Sequence, residues 1–239
     1  MEEKFGEFFT DKTYIEIKNS LFNYRNRVKH VKTEFLKFNN VKIVKALDIG
    51  SGISPVSPVP KNTLFMDLSE DAVNFLVSKG LKAKSGSITD LNFKAEFNWI
   101  FCSEVLEHIE DYRKAISEMH KALNKEGRAI ITVPVHMKYW NRDDEFVEHY
   151  RRFDPYKLKA DFETAGFKVL KMKPIGSFLD KYLTLLTVDS FKRSKKGKIG
   201  SFKKNIILFV NNILYYLVRA SLYVNSEKST NIMLYVVEK

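Results

Sequence analysis

Cysteine is almost absent from this 239-residue chain: Cys102 alone excludes an internal disulfide and a cysteine-based zinc site. It falls in a short apolar stretch, where an inert core thiol is expected. Proline and glycine are scarce, at 6 and 10 residues, and three of the prolines fall together as Pro55, Pro58 and Pro60. No internal repeat or low-complexity tract is present. Met1-Glu2-Glu3-Lys4 is acidic where a secretory leader is basic, and no apolar run follows, so a cytoplasmic protein is expected. Acidic residues are outnumbered 29 to 40, which leaves a formal charge of +11. Much of that excess sits in Lys192, Arg193, Lys195, Lys196, Lys198, Lys203 and Lys204. Such a cluster is either a solvated lysine-rich loop or a contact for an anionic partner.

What is present is a regular alternation. Ile17, Leu21, Tyr24, Val28, Val31 and Phe35 recur at helical spacing and predict one helix from Thr13 to Phe38. Strands are expected at Val41–Ile49, Thr63–Met66, Leu81–Lys84, Asn98–Cys102, Arg128–Val133, Phe167–Met172 and Asn231–Val237. Helices are expected from the Ser69 cap to Lys79, from Tyr112 to Leu123, and from Asp154-Pro155 to Ala165. Strands alternating with helices imply a mainly parallel sheet covered on both faces, a Rossmann-like α/β layout.

Ligands of such sheets sit beyond the C-terminal strand ends. That makes Ala46-Leu47-Asp48-Ile49-Gly50-Ser51-Gly52 the most informative stretch. A dinucleotide fingerprint needs a third glycine where Pro55 stands, and a phosphate loop needs a Gly-Lys-Ser/Thr that is missing. The three prolines also oppose a regular helix before Thr63. The turn therefore fits a ligand without a pyrophosphate. Asp67, closing the second strand, can accept hydrogen bonds from both hydroxyls of a ribose. Asp48 brings negative charge toward a ligand's ammonium or sulfonium.

Ala46 to Gly52, Asp67, and Phe97-Asn98-Trp99-Ile100-Phe101-Cys102-Ser103-Glu104-Val105-Leu106-Glu107-His108-Ile109 together resemble class I S-adenosylmethionine-dependent methyltransferases, in particular the group called methyltransferase domain 11. The resemblance covers about residues 40–175. It implies a seven-stranded sheet with an antiparallel last strand at Asn231–Val237, and S-adenosylmethionine as cofactor with no metal. By that resemblance Asp48, Gly50, Ser51 and Gly52 surround the methionine part, and Asp67 with Leu68 meets the ribose side. Ser87 and Ile88 flank the adenine, while Ser103 and Glu104 border the methyl group. Ser87 stands where the family usually has an acidic residue, and the first helix of the family is replaced by the proline-rich crossover. Ser87 or Asp90 is expected to compensate for the missing acid, whereas the lost helix is expected to loosen the grip on the cofactor. Glu107 reads as a surface or supporting residue.

An acceptor hydroxyl needs a base, and His108, His136 and His149 are the candidates. Arg151 and Arg152 in Glu148-His149-Tyr150-Arg151-Arg152-Phe153 either bind a carboxylate or phosphate of the acceptor, with Tyr139 beside them, or pair with Asp143, Asp144 or Glu145. The Asn/Asp/Ser-Pro-Pro-aromatic motif of base amino-methylation is missing, as is a Pro-Cys nucleophile. Nucleic acid is therefore a less favoured acceptor than a small or lipid-linked one, with oxygen ahead of nitrogen. Two alternatives stay open: an RNA methyltransferase using the basic insertion, and a cofactor-binding scaffold without catalysis.

The organisation expected is an N-terminal helical segment at 1–40, the methyltransferase domain at 41–174 and 229–239, and a basic, apolar insertion at 175–228. Asn205–Val224 in that insertion is apolar around most of a helix, apart from a stripe of Asn205, Asn212, Arg219 and Ser226. Asn211, Asn212 and Arg219 argue against a membrane span. The remaining choices are a pocket lid, a homodimer face, or a helix lying on the inner face of the membrane through residues 192–224.

Overall fold

In a computed structural model of the chain, residues 12–177, 179–183, 200–224 and 226–239 are described. The strands are β1 (Ala46–Ile49), β2 (Thr63–Asp67), β3 (Lys82–Ser85), β4 (Phe97–Ser103), β5 (Leu123–Pro134), β6 (Lys168–Pro174) and β7 (Ile232–Glu238). They form one sheet in the order β3-β2-β1-β4-β5-β7-β6. β7 runs antiparallel to both neighbours, and the pairs from β3 across to β5 are parallel. The mainly parallel seven-stranded sheet with an antiparallel last strand is thus present.

Side chains alternate between faces along a strand, so each strand feeds two cores. Leu47, Ile49, Ile100, Cys102, Ile131 and Tyr235 pack on one face with Ile116 and Met119 of α4 (Tyr112–Ala122) and Leu158 and Phe162 of α6 (Pro155–Thr164). Ala46, Trp99, Phe101, Ile130 and Leu234 pack on the other with Val31 and Phe35 of α2 (Phe22–Phe38). Ser69 caps α3 (Glu70–Ser78) by accepting from the Ala72 N–H, and Asp111 and Asp154 cap α4 and α6. Cys102 is fully buried, and burial pushes its thiol well above the usual range, as an inert core thiol requires.

Several expected elements differ. β5 starts at Leu123, where the preceding helix is expected to end, rather than at Arg128. The single helix at Thr13–Phe38 is two, α1 (Lys12–Ser20) and α2, broken at the extended residue Leu21. The Ser20 hydroxyl donates to the Ile17 carbonyl, a local bond that competes with the helical ladder. β1 starts at Ala46 rather than Val41, because the Asn98 side chain takes the Lys45 N–H and the Ile43 carbonyl out of the ladder. α7 (Ser201–Ser221) begins four residues before Asn205 and packs on α1 and α2. Phe22, Tyr215 and Val218 form a small core of their own there. Between β1 and β2 there is only a turn of 3-10 helix at Pro60–Asn62, as the prolines require.

Candidate active site

The end of the sheet beyond β1 and β2 is built mainly from backbone. Gly50 adopts φ 65, and its N–H donates to the Met66 carbonyl at 2.7 Å. A Cβ there would lie 2.4 Å from Val105 Cγ2, so only glycine lets the β1 turn pass beneath the loop after β4. Gly52, at φ 51, faces open space. Its N–H donates to Asp67 Oδ2 at 2.7 Å, while Asp67 Oδ1 accepts from the Ser69 N–H at 3.0 Å. Asp67 therefore ties the two strand ends together and still has lone pairs to offer. The Ser51 hydroxyl beside it is buried without a partner.

Leu68 is 56% exposed at the mouth of this turn. Ser87 shares a hydrogen bond with Thr89, and Ile88 is buried in the core. Asp48 turns away toward the proline-rich loop: its Oδ2 accepts from the N–H groups of Val56 and Ser57 at 3.0 and 2.8 Å. Burial, reinforced by the Asp67 charge, pushes its carboxyl up to about 7 despite those bonds. Lys18 of α1 lies close enough to feel Asp67, and burial lowers its ammonium to about 8. Open space at Gly52, an orphaned Ser51 hydroxyl and a carboxylate at the β2 end fit a ligand bearing a ribose diol.

Beyond β4 and β5 the construction changes to buried ionisable side chains. Ser103 shares a hydrogen bond with Thr132. Glu104 follows at φ 55, in the left-handed region that favours glycine. Thr132 Oγ1 donates to its carboxylate at 3.1 Å, and Arg27 from α2 stands 3.7 Å away. Glu107 is fully buried, and neither of its carboxylate oxygens has a hydrogen-bond partner. Burial and the nearby Glu104 charge drive it well above the usual carboxylate range. It is no surface residue.

The His108 and His149 rings meet edge to face at 4.5 Å. His149 Nδ1 is 2.9 Å from Asp144 Oδ1, and its Nε2 is 3.9 Å from Glu107 Oε1. His108 Nδ1 is buried and unpartnered. Burial and the neighbouring His149 lower it to about 4, so this imidazole is neutral.

Asp144 sits at the centre of this end. It closes a capping box on the short helix α5 (Arg142–Phe146) and pairs with Arg152 at 2.8 Å and Lys181 at 3.4 Å. Burial opposes its ionisation, but the bonds from His149 and Arg152 win and hold it well below the usual range. Asp180 lies nearby, within reach of the Arg27 and Glu104 charges. Burial pushes it up to about 7.

Of the two readings of the arginine pair, Arg152 thus takes the ion pair with Asp144. Arg151 donates to the Ile109 and Glu110 carbonyls and stacks on Tyr112. His136 and Tyr139 bond the Glu227 and Ser229 carbonyls at 2.7 and 2.8 Å, tying the turn after β5 to the lead-in of β7. These three are committed to backbone, whereas His108, His149, Glu104 and Arg152 converge. Arg27, Asp180 and Lys181 were missed because they arrive from outside about residues 40–175, the stretch that carries the sequence resemblance. Asp144 was legible as the fourth residue of an Asn-x-x-Asp cap.

Residues 19–172 match the model of a family described as methyltransferase domain. The chain belongs to that family. It is an S-adenosylmethionine-dependent methyltransferase. Solved structures agree on the fold. A methyltransferase from Thermotoga maritima aligns with a TM-score of 0.63 at 15% identity, covering 100% of this chain and 99% of that one. Phosphoethanolamine N-methyltransferase 2 of Haemonchus contortus, solved with S-adenosyl-L-methionine, gives 0.58 at 15% identity over 88% of this chain and 52% of its own. A methyltransferase from Archaeoglobus fulgidus gives 0.55 at 17% identity, with coverage of 89% and 94%. No curated protein matches the sequence.

Proposed function

We propose that this methyltransferase methylates a hydroxyl of a small or lipid-linked acceptor, with Glu104 receiving the proton. The observation that carries this reading is the surplus of hydrogen-bond acceptors beyond β4. Both Glu107 oxygens and His108 Nδ1 lack a donor. A hydroxyl supplies one. An ammonium would too, and analysis of the methylated product separates the two.

S-adenosylmethionine, when bound, supplies a methyl group already activated by the sulfonium. The residues that would hold it are Gly50, Ser51, Gly52 and Asp67, with Leu68 on the ribose side, Ser87 and Ile88 on the adenine side and Asp48 supporting the turn from beneath. The protein's task is alignment and removal of one proton. Glu104, held by Thr132 and Arg27, accepts that proton from the attacking oxygen. His108 and His149 orient the hydroxyl, and Arg152 keeps the Asp144–His149 pair in place.

The lipid-linked form of the acceptor is supported by α7. Phe202, Ile206, Phe209, Val210, Ile213, Tyr216 and Leu217 are all exposed along one side of it. Among the described residues no helix is long and apolar enough to cross a membrane. Arg25, Lys29 and Lys32 line a groove beside it with Tyr215, and the chain carries +11 overall. An exposed apolar stripe on a strongly basic chain suits a helix lying on an anionic bilayer. The basic run at Lys192, Arg193, Lys195, Lys196 and Lys198 lies outside the described residues.

The test is transfer of labelled methyl from S-adenosylmethionine into lipid and small-molecule extracts, with mass analysis of the product. Methyl ether products whose formation falls at least about 100-fold in Glu104→Gln, at unchanged cofactor affinity, support the reading. Products methylated only on nitrogen would sink it.

A further inference from the structure

We propose that Glu107, His108 and His149 form a binding site for one divalent first-row transition-metal ion. The potential ligand atoms of these three residues all lie within 4.8 Å of one another. Proximity alone would mean little. Two further observations point to a ligand.

The first is protonation geometry. His149 Nδ1 is 2.9 Å from Asp144 Oδ1, an oxygen that also accepts from Arg152, so Nδ1 carries the N–H of that bond and Nε2, 3.9 Å from Glu107 Oε1, keeps its lone pair. The Nδ1 of His108 is buried without a hydrogen-bond partner. Each imidazole thus has a nitrogen left for a ligand beside Glu107. A carboxylate holding the far nitrogen of a ligand histidine is the usual support of a metal site.

The second is Glu107. A fully buried carboxylate with both oxygens unpartnered is costly unless something positive or donating meets it. Arg27 and Arg152 are close enough to feel its charge, but neither makes a hydrogen bond or ion pair with it, and Arg152 and Lys181 pair with Asp144. A divalent cation satisfies the orphaned carboxylate and both imidazole lone pairs at once.

The donor set decides the metal. Two imidazoles and one carboxylate suit manganese, iron, cobalt or zinc, whereas magnesium and calcium prefer oxygen alone. Metal bonds of about 2.1 Å hold neighbouring donors about 3 Å apart. Filling the site therefore draws these three side chains inward.

Three protein ligands leave coordination positions open. An acceptor oxygen bound there loses its proton more readily, and Glu104, which is not a ligand, takes that proton. The oxygen then forms its bond to the methyl carbon as the carbon–sulfur bond breaks, its electron pair staying on sulfur. This role, though not the site, rests on the hydroxyl reading above.

The test uses the full chain, stripped with chelator and titrated with Mn²⁺, followed by the paramagnetic signal of the free ion. Zn²⁺ competition and Mg²⁺ controls run alongside. The expected result is one Mn²⁺ per chain, displaced by Zn²⁺ and not by equimolar Mg²⁺, and weakened at least tenfold in both His108→Gln and His149→Gln. Binding of S-adenosylhomocysteine, measured in each variant, shows whether the fold and cofactor site persist. Absence of stoichiometric binding by wild type that still binds S-adenosylhomocysteine overturns the site. So does binding that survives in either histidine variant. Metal binding with methyl transfer to amines alone would keep the site and overturn its role in hydroxyl activation.

Discussion

The two halves of the active site are made in opposite ways. Beyond β1 and β2 the chain uses glycine turns, N–H groups and one carboxylate, and Asp67 is satisfied by the Gly52 and Ser69 N–H groups. Beyond β4 and β5 it uses buried side chains from five separate stretches, and leaves Glu107, His108 and Asp180 with orphaned atoms. A backbone cradle binds one conserved kind of ligand shape with little dependence on side chains. A cluster of buried charges stores its cost in the protein and can be rewired by a single substitution. On the function proposed above, selectivity for the acceptor would belong to the second half.

Breaking each half should have different consequences. Asp144→Ala removes the partner of buried Arg152 and Lys181 and should cost about 3–5 kcal/mol of stability, seen as a lower urea midpoint. Asp67→Ala removes two part-buried N–H bonds from the fold but strands no buried charge. It should cost less stability than Asp144→Ala, about 1–3 kcal/mol, while weakening S-adenosylmethionine about 100-fold, because hydrogen bonds to a charged group contribute about 1.5–3 kcal/mol each. Calorimetric titration of both variants checks the contrast. Equal loss of stability in the two would erase the distinction.

A smaller effect comes from Asp48, whose carboxyl is pushed up to about 7 by burial. The unfolded chain ionises this group near 4, so between about pH 4 and 7 the folded state holds a proton that the unfolded state has released. Stability should fall as pH rises through that window, by up to about 1.4 kcal/mol per pH unit for one proton. Asp180 contributes in the same direction. Asp48→Asn should flatten the slope measured by urea unfolding from pH 4 to 8. Val56 and Ser57 both donate to Oδ2, so an amide oxygen can take both bonds. An unchanged slope would show that the wild-type carboxylate is ionised throughout.

The cradle was legible because its requirements are local. Gly50, Gly52 and Asp67 announce strand ends through residue type and spacing, and Pro55, Pro58 and Pro60 announce the lost helix. The acceptor half was legible only in part. His108 and His149 stood out as residue types, but nothing in the spacing showed that their rings touch. Arg27 arrives from α2 and Asp180 from the stretch after β6, and such long-range placement leaves no periodic trace. His136, Tyr139 and Arg151 had the right chemistry in the right region, yet each spends it on a backbone carbonyl. That outcome depends on where loops pass, which residue type does not encode. The break at Leu21 was invisible for the same reason, since the apolar spacing runs straight through it.

The smallest expected effect sharpens a comparison within α7 itself. Its inner side buries Asn211, Tyr215 and Val218 against α1 and α2, while its outer side exposes Phe209, Ile213 and Tyr216. Tyr215 also lies under the Arg25 guanidinium at 4.1 Å, so the inner side is fixed by packing and by charge on an aromatic face. Phe209→Ser with Ile213→Ser should leave the urea midpoint within the about 0.5 kcal/mol typical of surface changes. Full burial of two such side chains is worth about 1.5–3 kcal/mol each, and an interfacial helix recovers only part of that. Association with vesicles containing phosphatidylglycerol should accordingly fall about tenfold, read by cosedimentation. A loss of stability comparable to that of Tyr215→Ala would instead mean that the outer side is packed within the protein. Unchanged vesicle association at unchanged stability would remove the bilayer as the partner of this face and leave the lipid-linked acceptor to stand on the active site alone.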